Sequence, residues 1–264
     1  MCQLLGMNCN VPTDICFSFT GFCERGGRTG EHTDGWGIGF FEGKGCRIFL
    51  DTTASAESQI AAFVQSYPIK TLNAIAHIRK ATIGSTALEN THPYTRELWG
   101  HNWLFAHNGN LKEFAPTFKG LYLPVGSTDS ETAFCLIMEN LRKKFRSTFP
   151  TTEELFNAIH SSTKKIAKHG IFNFLLGNEN LLFAHCYNNL HYIIRQAPFA
   201  KAQLKDTDVT IDFSTVTTTK DRVALIATEP LTTNETWTKI PPGTLLLFQN
   251  GTLIKQSPTI QVPL

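Results

Sequence analysis

Cys2-Gln3-Leu4-Leu5-Gly6-Met7, behind a single Met1, is the stretch on which the reading of this chain turns. It is short and apolar, as expected of a buried strand that begins at the very N-terminus. Such a strand carries the terminal amine into the body of the fold. Small Cys2 favours removal of Met1, after which one residue bears both a thiol and a free α-amine. An α-amine has a pKa near 8, so it can be neutral at working pH and accept a proton. A nucleophile with its own base is a starting set for acyl transfer. That chemistry also needs donors for an oxyanion and charges to hold a substrate. Three later segments can supply them: Ala76-His77-Ile78-Arg79-Lys80-Ala81-Thr82, Ala106-His107-Asn108-Gly109-Asn110-Leu111 and Ser127-Thr128-Asp129-Ser130-Glu131.

The rest of the composition narrows the field. With 264 residues, 42% hydrophobic and 17% charged, the chain has the makings of a large core and no signature of disorder. Net charge is +2, and the densest basic cluster, Arg142-Lys143-Lys144 with Arg146, falls at the end of an expected helix, where cations suit the dipole. Nucleic acid is therefore not an expected partner. No apolar run approaches the ~18 residues of a membrane span, so no membrane partner is expected. The absence of a charged leader and the odd count of seven cysteines point to reduced thiols in a cytoplasm. Cys2, Cys9, Cys16 and Cys23 recur every seven residues, but zinc sites favour short paired spacings, and Pro12 interrupts any helix that would align them. Cys9, Cys16 and Cys23 read as small buried hydrophobes, and no metal site is expected.

Along the chain, Ile15 to Phe22 reads as a packed helix ending near Gly26-Gly27, followed by a Gly-rich loop from Glu24 to Thr33. Gly35 to Phe41 and Cys46 to Leu50 read as a β-hairpin, and Glu57 to Gln65 as a short helix. Ala74 to Ile78 and Leu104 to Ala106 read as buried strands, with Thr82 to Trp103 between them as an irregular loop over the site. Thr128-Asp129-Ser130-Glu131 has the capping-box pattern for a helix to about Phe145. Thr151-Thr152-Glu153-Glu154 repeats it for a helix that stops at Gly170. Strands are expected at Phe172 to Leu176, Leu181 to Tyr187, Leu190 to Arg195, Val223 to Ala227, Thr244 to Gln249 and Thr252 to Lys255. Lys201 to Asp221 reads as a polar surface excursion. No linker or repeat divides the chain, which is expected to be one layered α+β domain over residues 1–264.

Taken singly, each motif has an ordinary explanation. Asp129 is a first-turn carboxylate suited to a helix dipole, Arg79 a strand-end cation, and Asn108-Gly109 a tight-turn dipeptide. Their joint occurrence behind Cys2 carries more. Cys2, Arg25-Gly26 before Asp34-Gly35-Trp36-Gly37, His77-Ile78-Arg79-Lys80-Ala81-Thr82, His107-Asn108-Gly109-Asn110 and Thr128-Asp129-Ser130-Glu131 together resemble the class II glutamine amidotransferases. These are N-terminal-nucleophile hydrolases.

The resemblance implies a four-layer αββα sandwich, with two antiparallel sheets between helical layers. It implies Cys2 as nucleophile toward a glutamine side-chain amide, passing through a γ-glutamyl thioester. Asn108 and the Gly109 N–H would form the oxyanion hole. Arg79 would hold the substrate α-carboxylate and Asp129 its α-ammonium, with Thr82 and Arg25 in supporting positions. No metal or organic cofactor is implied. The expected small-molecule partner is glutamine or a γ-glutamyl compound. Ammonia passes to a partner protein or, when water is the only acceptor, the chain is a γ-glutamyl amide hydrolase. The alternatives are a γ-glutamyl peptide or amine hydrolase, or a catalytically silent glutamine-binding or assembly subunit.

Overall fold

The computed structural model describes residues 2–81 and 84–260. The first strand, β1 (Gln3–Thr13), is followed by α1 (Cys16–Glu24), a hairpin of β2 (Trp36–Glu42) and β3 (Gly45–Asp51), α2 (Gln59–Ser66) and β4 (Thr71–Ile78). Next come β5 (Tyr94–Leu98), β6 (His101–Leu111), and the two long helices α3 (Asp129–Phe145) and α4 (Thr152–Ile166). The C-terminal half comprises β7 (Gly170–Gly177), β8 (Leu181–Cys186), β9 (His191–Gln196), β10 (Lys201–Gln203), β11 (Thr210–Asp212), β12 (Arg222–Ala227), β13 (Thr238–Lys239), β14 (Thr244–Gln249) and β15 (Thr252–Pro258).

The strands form two antiparallel sheets. One runs β13-β9-β12-β1-β4-β2-β3 and the other β15-β14-β8-β7-β6-β5, with β10 and β11 as a separate ribbon. The period-2 alternation of β1 sorts its residues between layers. Leu5, Met7 and Cys9 face a core built with Phe19 and Phe22 of α1 and Ala61 and Val64 of α2. Leu4, on the opposite face, packs with Leu104, Leu175, Leu182 and Leu246 of the second sheet. The outer face of that second sheet carries a third core, in which Phe105, Phe172 and Phe174 meet Phe134, Ile137 and Leu141 of α3 and Leu155 and Ile159 of α4. Three apolar interfaces between four layers make an αββα sandwich, with β1 at the centre of its sheet and buried on both faces.

The long helices start where their caps dictate. Thr128 accepts from the Glu131 N–H at 3.1 Å, and the Thr151 box closes in both directions, with Glu154 reaching back to the Thr151 N–H. Glu131 departs from that pattern: its carboxylate accepts from Gly126 N at 2.7 Å and pairs with Arg96 at 2.5 Å. The 82–103 stretch corrects its sequence reading. It contains β5, which pairs with β6 from Tyr94↔Phe105 to Leu98↔His101 and forms a sheet edge. β6 is also longer than expected, because its polar end, Asn108 to Leu111, stays in register with Gly170 to Asn173 of β7. β1 runs on past Pro12, which a register break between Asn8 and Thr13 accommodates. Among the described residues no helix is long and apolar enough to cross a membrane.

Candidate active site

Strand ends define the site. The start of β1, the end of β4, the start of β2 and the end of β12 lie side by side, through Gln3↔Ile78, Trp36↔Ile78 and Leu5↔Ala227. β6 of the facing sheet brings Asn108 to the same end, where its Nδ2 donates to the Cys2 carbonyl at 2.6 Å.

Cys2 is half-buried and its sulfur is held by the backbone just past β4. Lys80 N–H donates to Sγ at 3.3 Å, and Sγ lies 3.4 Å from the Lys80 carbonyl. Burial pushes the thiol pKa up, while the Lys80 N–H and the Arg79 charge pull it back. The 79–81 backbone is itself pinned to the start of β2. Arg79 N donates to Gly35 O at 2.8 Å, Asp34 N donates to Arg79 O at 3.2 Å, and the Asp34 carboxylate accepts from Ala81 N at 2.8 Å. The Asp34-Gly35 pair thus fixes where the Lys80 N–H points. Glu31, exposed on the Gly-rich loop, pairs with the Lys80 ammonium at 2.7 Å at the rim.

Arg79 is buried, and its guanidinium donates to the carbonyls of Ser85 at 3.0 Å and Gly84 at 3.2 Å. Asp129 opens α3 and holds the end of β6, accepting from Leu111 N at 2.7 Å and Ser130 N at 3.0 Å. A carboxylate accepts about four hydrogen bonds, so these two leave capacity for an ammonium. Arg79 and Asp129 both act on Tyr94, whose hydroxyl meets Thr128 at 2.7 Å: burial raises its pKa, Arg79 opposes and Asp129 adds.

Gly109 has a steric cause. A Cβ there would sit 1.8 Å from the Ile171 carbonyl oxygen of β7. Asn108 is fixed from behind by Asn173, whose Nδ2 donates to Asn108 O at 3.1 Å and whose Oδ1 accepts from Tyr187 N at 2.8 Å. Asn173 is a buried polar residue in an otherwise apolar strand, the one cue that could have marked it in the sequence.

Arg25 lies one residue removed from the cysteine. Its Nη1 donates to Gln3 Oε1 at 3.3 Å and to Glu229 O at 3.1 Å, its Nη2 to Pro230 O at 2.7 Å, and its Nε to Asp206 at 2.9 Å. The structure thus brings Cys2, Asn108 and Arg79 to one end of the sandwich, with Asp129 bracing the end of β6 and Arg25 bracing Gln3. Thr82 and Met1 lie outside the described residues. Sequence reasoning missed Gln3, Asn173 and Asp206, and it quoted Asp34 and Lys80 without giving them a part. Arg25 and Asp206 are 181 positions apart, a separation no local pattern reveals.

His77, His92 and His107 are buried. His77 and His92 stack with centroids 4.2 Å apart, and His92 meets Tyr94 at 4.5 Å. Burial drives the His77 pKa down to about 3 and that of His92 well below its usual value. His107 binds Ser130 Oγ at 2.8 Å and the Ile171 carbonyl at 3.0 Å, tying β6 to α3. Among the described residues, no cluster of three or more His, Cys, Asp or Glu side chains could hold a metal ion.

Comparison with known proteins places this chain in a family. The glutamine phosphoribosylpyrophosphate amidotransferase of B. subtilis superposes over 98% of this chain and 50% of its own, with a TM-score of 0.63 at 18% identity. At that identity the likeness shows the fold alone. The crystal structure of a predicted glutamine amidotransferase from Pseudomonas aeruginosa PA01 is nearer, with a TM-score of 0.77 and 44% identity over 96% of this chain and 99% of that one. YafJ of Escherichia coli strain K12 is 54% identical over 251 residues, 95% of this chain and 98% of the relative. A Haemophilus influenzae relative is 54% identical over 256 residues, 97% of this chain and 87% of its own. The sequence profile of the family described as "Glutamine amidotransferases class-II" matches residues 1–263. The chain belongs to the class II glutamine amidotransferases.

Proposed function

We propose that this chain is a stand-alone cysteine amidohydrolase that cleaves the γ-amide of glutamine or of a γ-glutamyl compound through a thioester on Cys2. The observation that carries this reading is the junction at the start of β1. There a backbone N–H faces the Cys2 sulfur at 3.3 Å and the Asn108 carboxamide stands 2.6 Å from the Cys2 carbonyl.

Once Met1 is removed, the α-amine of Cys2 takes the thiol proton through water, and Sγ attacks the side-chain amide carbon of the substrate. Negative charge moves to the amide oxygen, where Asn108 Nδ2 and the Gly109 N–H donate to it. Collapse of the tetrahedral intermediate breaks the C–N bond, and the protonated α-amine gives its proton to the departing nitrogen. Ammonia or an amine leaves, and water then hydrolyses the thioester, returning the thiol and releasing glutamate. Arg79 holds the substrate α-carboxylate, for which a planar two-pronged donor is suited. To do so it must exchange or share the Ser85 and Gly84 carbonyls it now holds. Asp129 takes the α-ammonium. Arg25, through Gln3, keeps the start of β1 in place.

The thiol's raised pKa in this resting arrangement fits a nucleophile activated by its own amine at the moment of attack rather than one stored as thiolate. Exchange of Cys2 for Ala tests the reading. Turnover of glutamine and of γ-glutamyl amides is expected to vanish with the fold intact by circular dichroism. Turnover at the parent rate would refute it.

A further inference from the structure

A cavity lies among the C-terminal part of β1, α1, β9, β12 and the 201–221 excursion. Its volume is about 180 Å³, and its walls include Met7, Phe17, Ile211, Phe213 and Leu225. Met7 is five residues along β1 from Cys2, roughly 17 Å at the strand rise, so this cavity is separate from the candidate active site. For scale, an apolar protein cavity of about 150 Å³ takes up benzene.

The cavity's walls mix apolar side chains with charged and hydroxyl groups, among them Asp14, Ser18, Lys70, Arg195 and Asp221. Phe17 and Phe213 meet edge to face with centroids 5.6 Å apart. Over them lies the Arg195 guanidinium, 4.5 Å from the Phe213 centroid and 5.8 Å from that of Phe17. Arg195 is only 8% exposed and lines the cavity. Its Nε and Nη2 are committed to Glu235 at 2.8 and 2.6 Å, and among the described residues Nη1 has one long hydrogen bond, 3.4 Å to Ser18 Oγ. An under-used donor on a buried, charge-neutralised guanidinium, beside two aromatic rings in a ring-sized space, describes a ligand: one planar apolar ring with a carbonyl acceptor attached. Lys70 and Asp14, paired at 2.9 Å and also lining the cavity, supply polar groups for the solvent-facing part of such a molecule. Ligand pockets in general combine an apolar lining with a few placed polar groups in this way.

We propose that this cavity is a second small-molecule site, independent of Cys2, for a compound carrying a single aromatic ring and a carbonyl or carboxylate oxygen aimed at Arg195 Nη1. Benzamide and benzoate serve as neutral and anionic probes, read by saturation-transfer NMR and titration calorimetry on the full chain. Saturable one-to-one binding of at least one probe is expected below about 10 mM. It is expected to be at least tenfold weaker in Ile211→Trp, which fills the space, and in Val216→Trp, which crowds the cavity from a 64% exposed position and so spares the fold. Binding is expected to persist in Cys2→Ala. The proposal is overturned if neither probe binds the parent chain. It is equally overturned if binding survives undiminished in both tryptophan variants that melt like the parent, or if it disappears in Cys2→Ala.

Discussion

Asn108→Ala separates catalytic work from structural work at one residue. In the folded chain Asn108 Nδ2 donates to Cys2 O at 2.6 Å, and its buried Oδ1 has no hydrogen-bond partner among the described residues. Truncation removes one hydrogen bond, worth about 1 kcal/mol net, but also an unpaired buried carbonyl oxygen whose desolvation costs about 1–3 kcal/mol. The two offset, so stability is expected to stay within about 1 kcal/mol of the parent, or about 2–4 °C in Tm for a chain of this size. Catalysis has no such offset. Loss of one oxyanion donor is expected to lower kcat about 100- to 1,000-fold, or about 2.7–4 kcal/mol, with KM little changed because the proposed partners of the glutamyl carboxylate and ammonium are other residues, Arg79 and Asp129. Ammonia release from glutamine, measured beside a thermal melt of the same preparation, gives both numbers. A kcat within threefold of the parent would refute the oxyanion role. A fall in Tm beyond about 8 °C would show that Asn108 is primarily structural.

Other perturbations reach the supporting frame. Gly109→Ala places a Cβ 1.8 Å from Ile171 O, so β6 and β7 must separate, and a loss of about 1–3 kcal/mol in urea unfolding is expected. Arg25→Ala removes the cationic partner of Asp206, whose side chain is 11% exposed and keeps, among the described residues, only the Thr29 hydroxyl at 2.9 Å, and a loss of about 3–5 kcal/mol is expected by the same measurement; an unchanged midpoint would contradict the bracing role. His185 and His77 are buried, with pKa values lowered to about 4 and about 3, against an unfolded value near 6.5. The unfolded chain therefore binds more protons between those values, so their stabilising effect is complete above pH 6.5 and is lost as pH falls toward 4. Each lost pKa unit costs roughly 1.4 kcal/mol per histidine, and Tm is expected to drop steadily from pH 6.5 to 4.5. A flat Tm across that window would be the contrary result.

The layered fold was legible where side-chain periodicity and caps act locally. Thr128 and Thr151 announced the two long helices, and the apolar runs of β1, β4, β7, β8, β12 and β14 announced strands. β5 was lost because Tyr94-Thr95-Arg96-Glu97-Leu98 carries its charges on a sheet edge, where burial alternates too weakly over five residues to stand out. The ribbon of β10 and β11 and the two-residue β13 are polar and short for the same reason.

The central cluster was legible through residues whose chemistry is unusual in combination: Cys2 behind Met1, Arg79 at a strand end, Asn108-Gly109 within β6. The brace behind it was not. Asn173 behind Asn108, Asp206 on Arg25 and the Asp34 hold on Ala81 all join residues at least 47 positions apart, and only the packed sheets bring them together.

Intact mass of the purified chain, before and after reaction with a glutamine-shaped diazoketone that alkylates nucleophilic cysteines, tests the central claim most directly. The account predicts a chain short by one methionine residue that gains a single adduct, mapped to Cys2, with the other six cysteines unmodified. A chain that retains Met1 and takes no adduct, or one alkylated at a different cysteine, would contradict it.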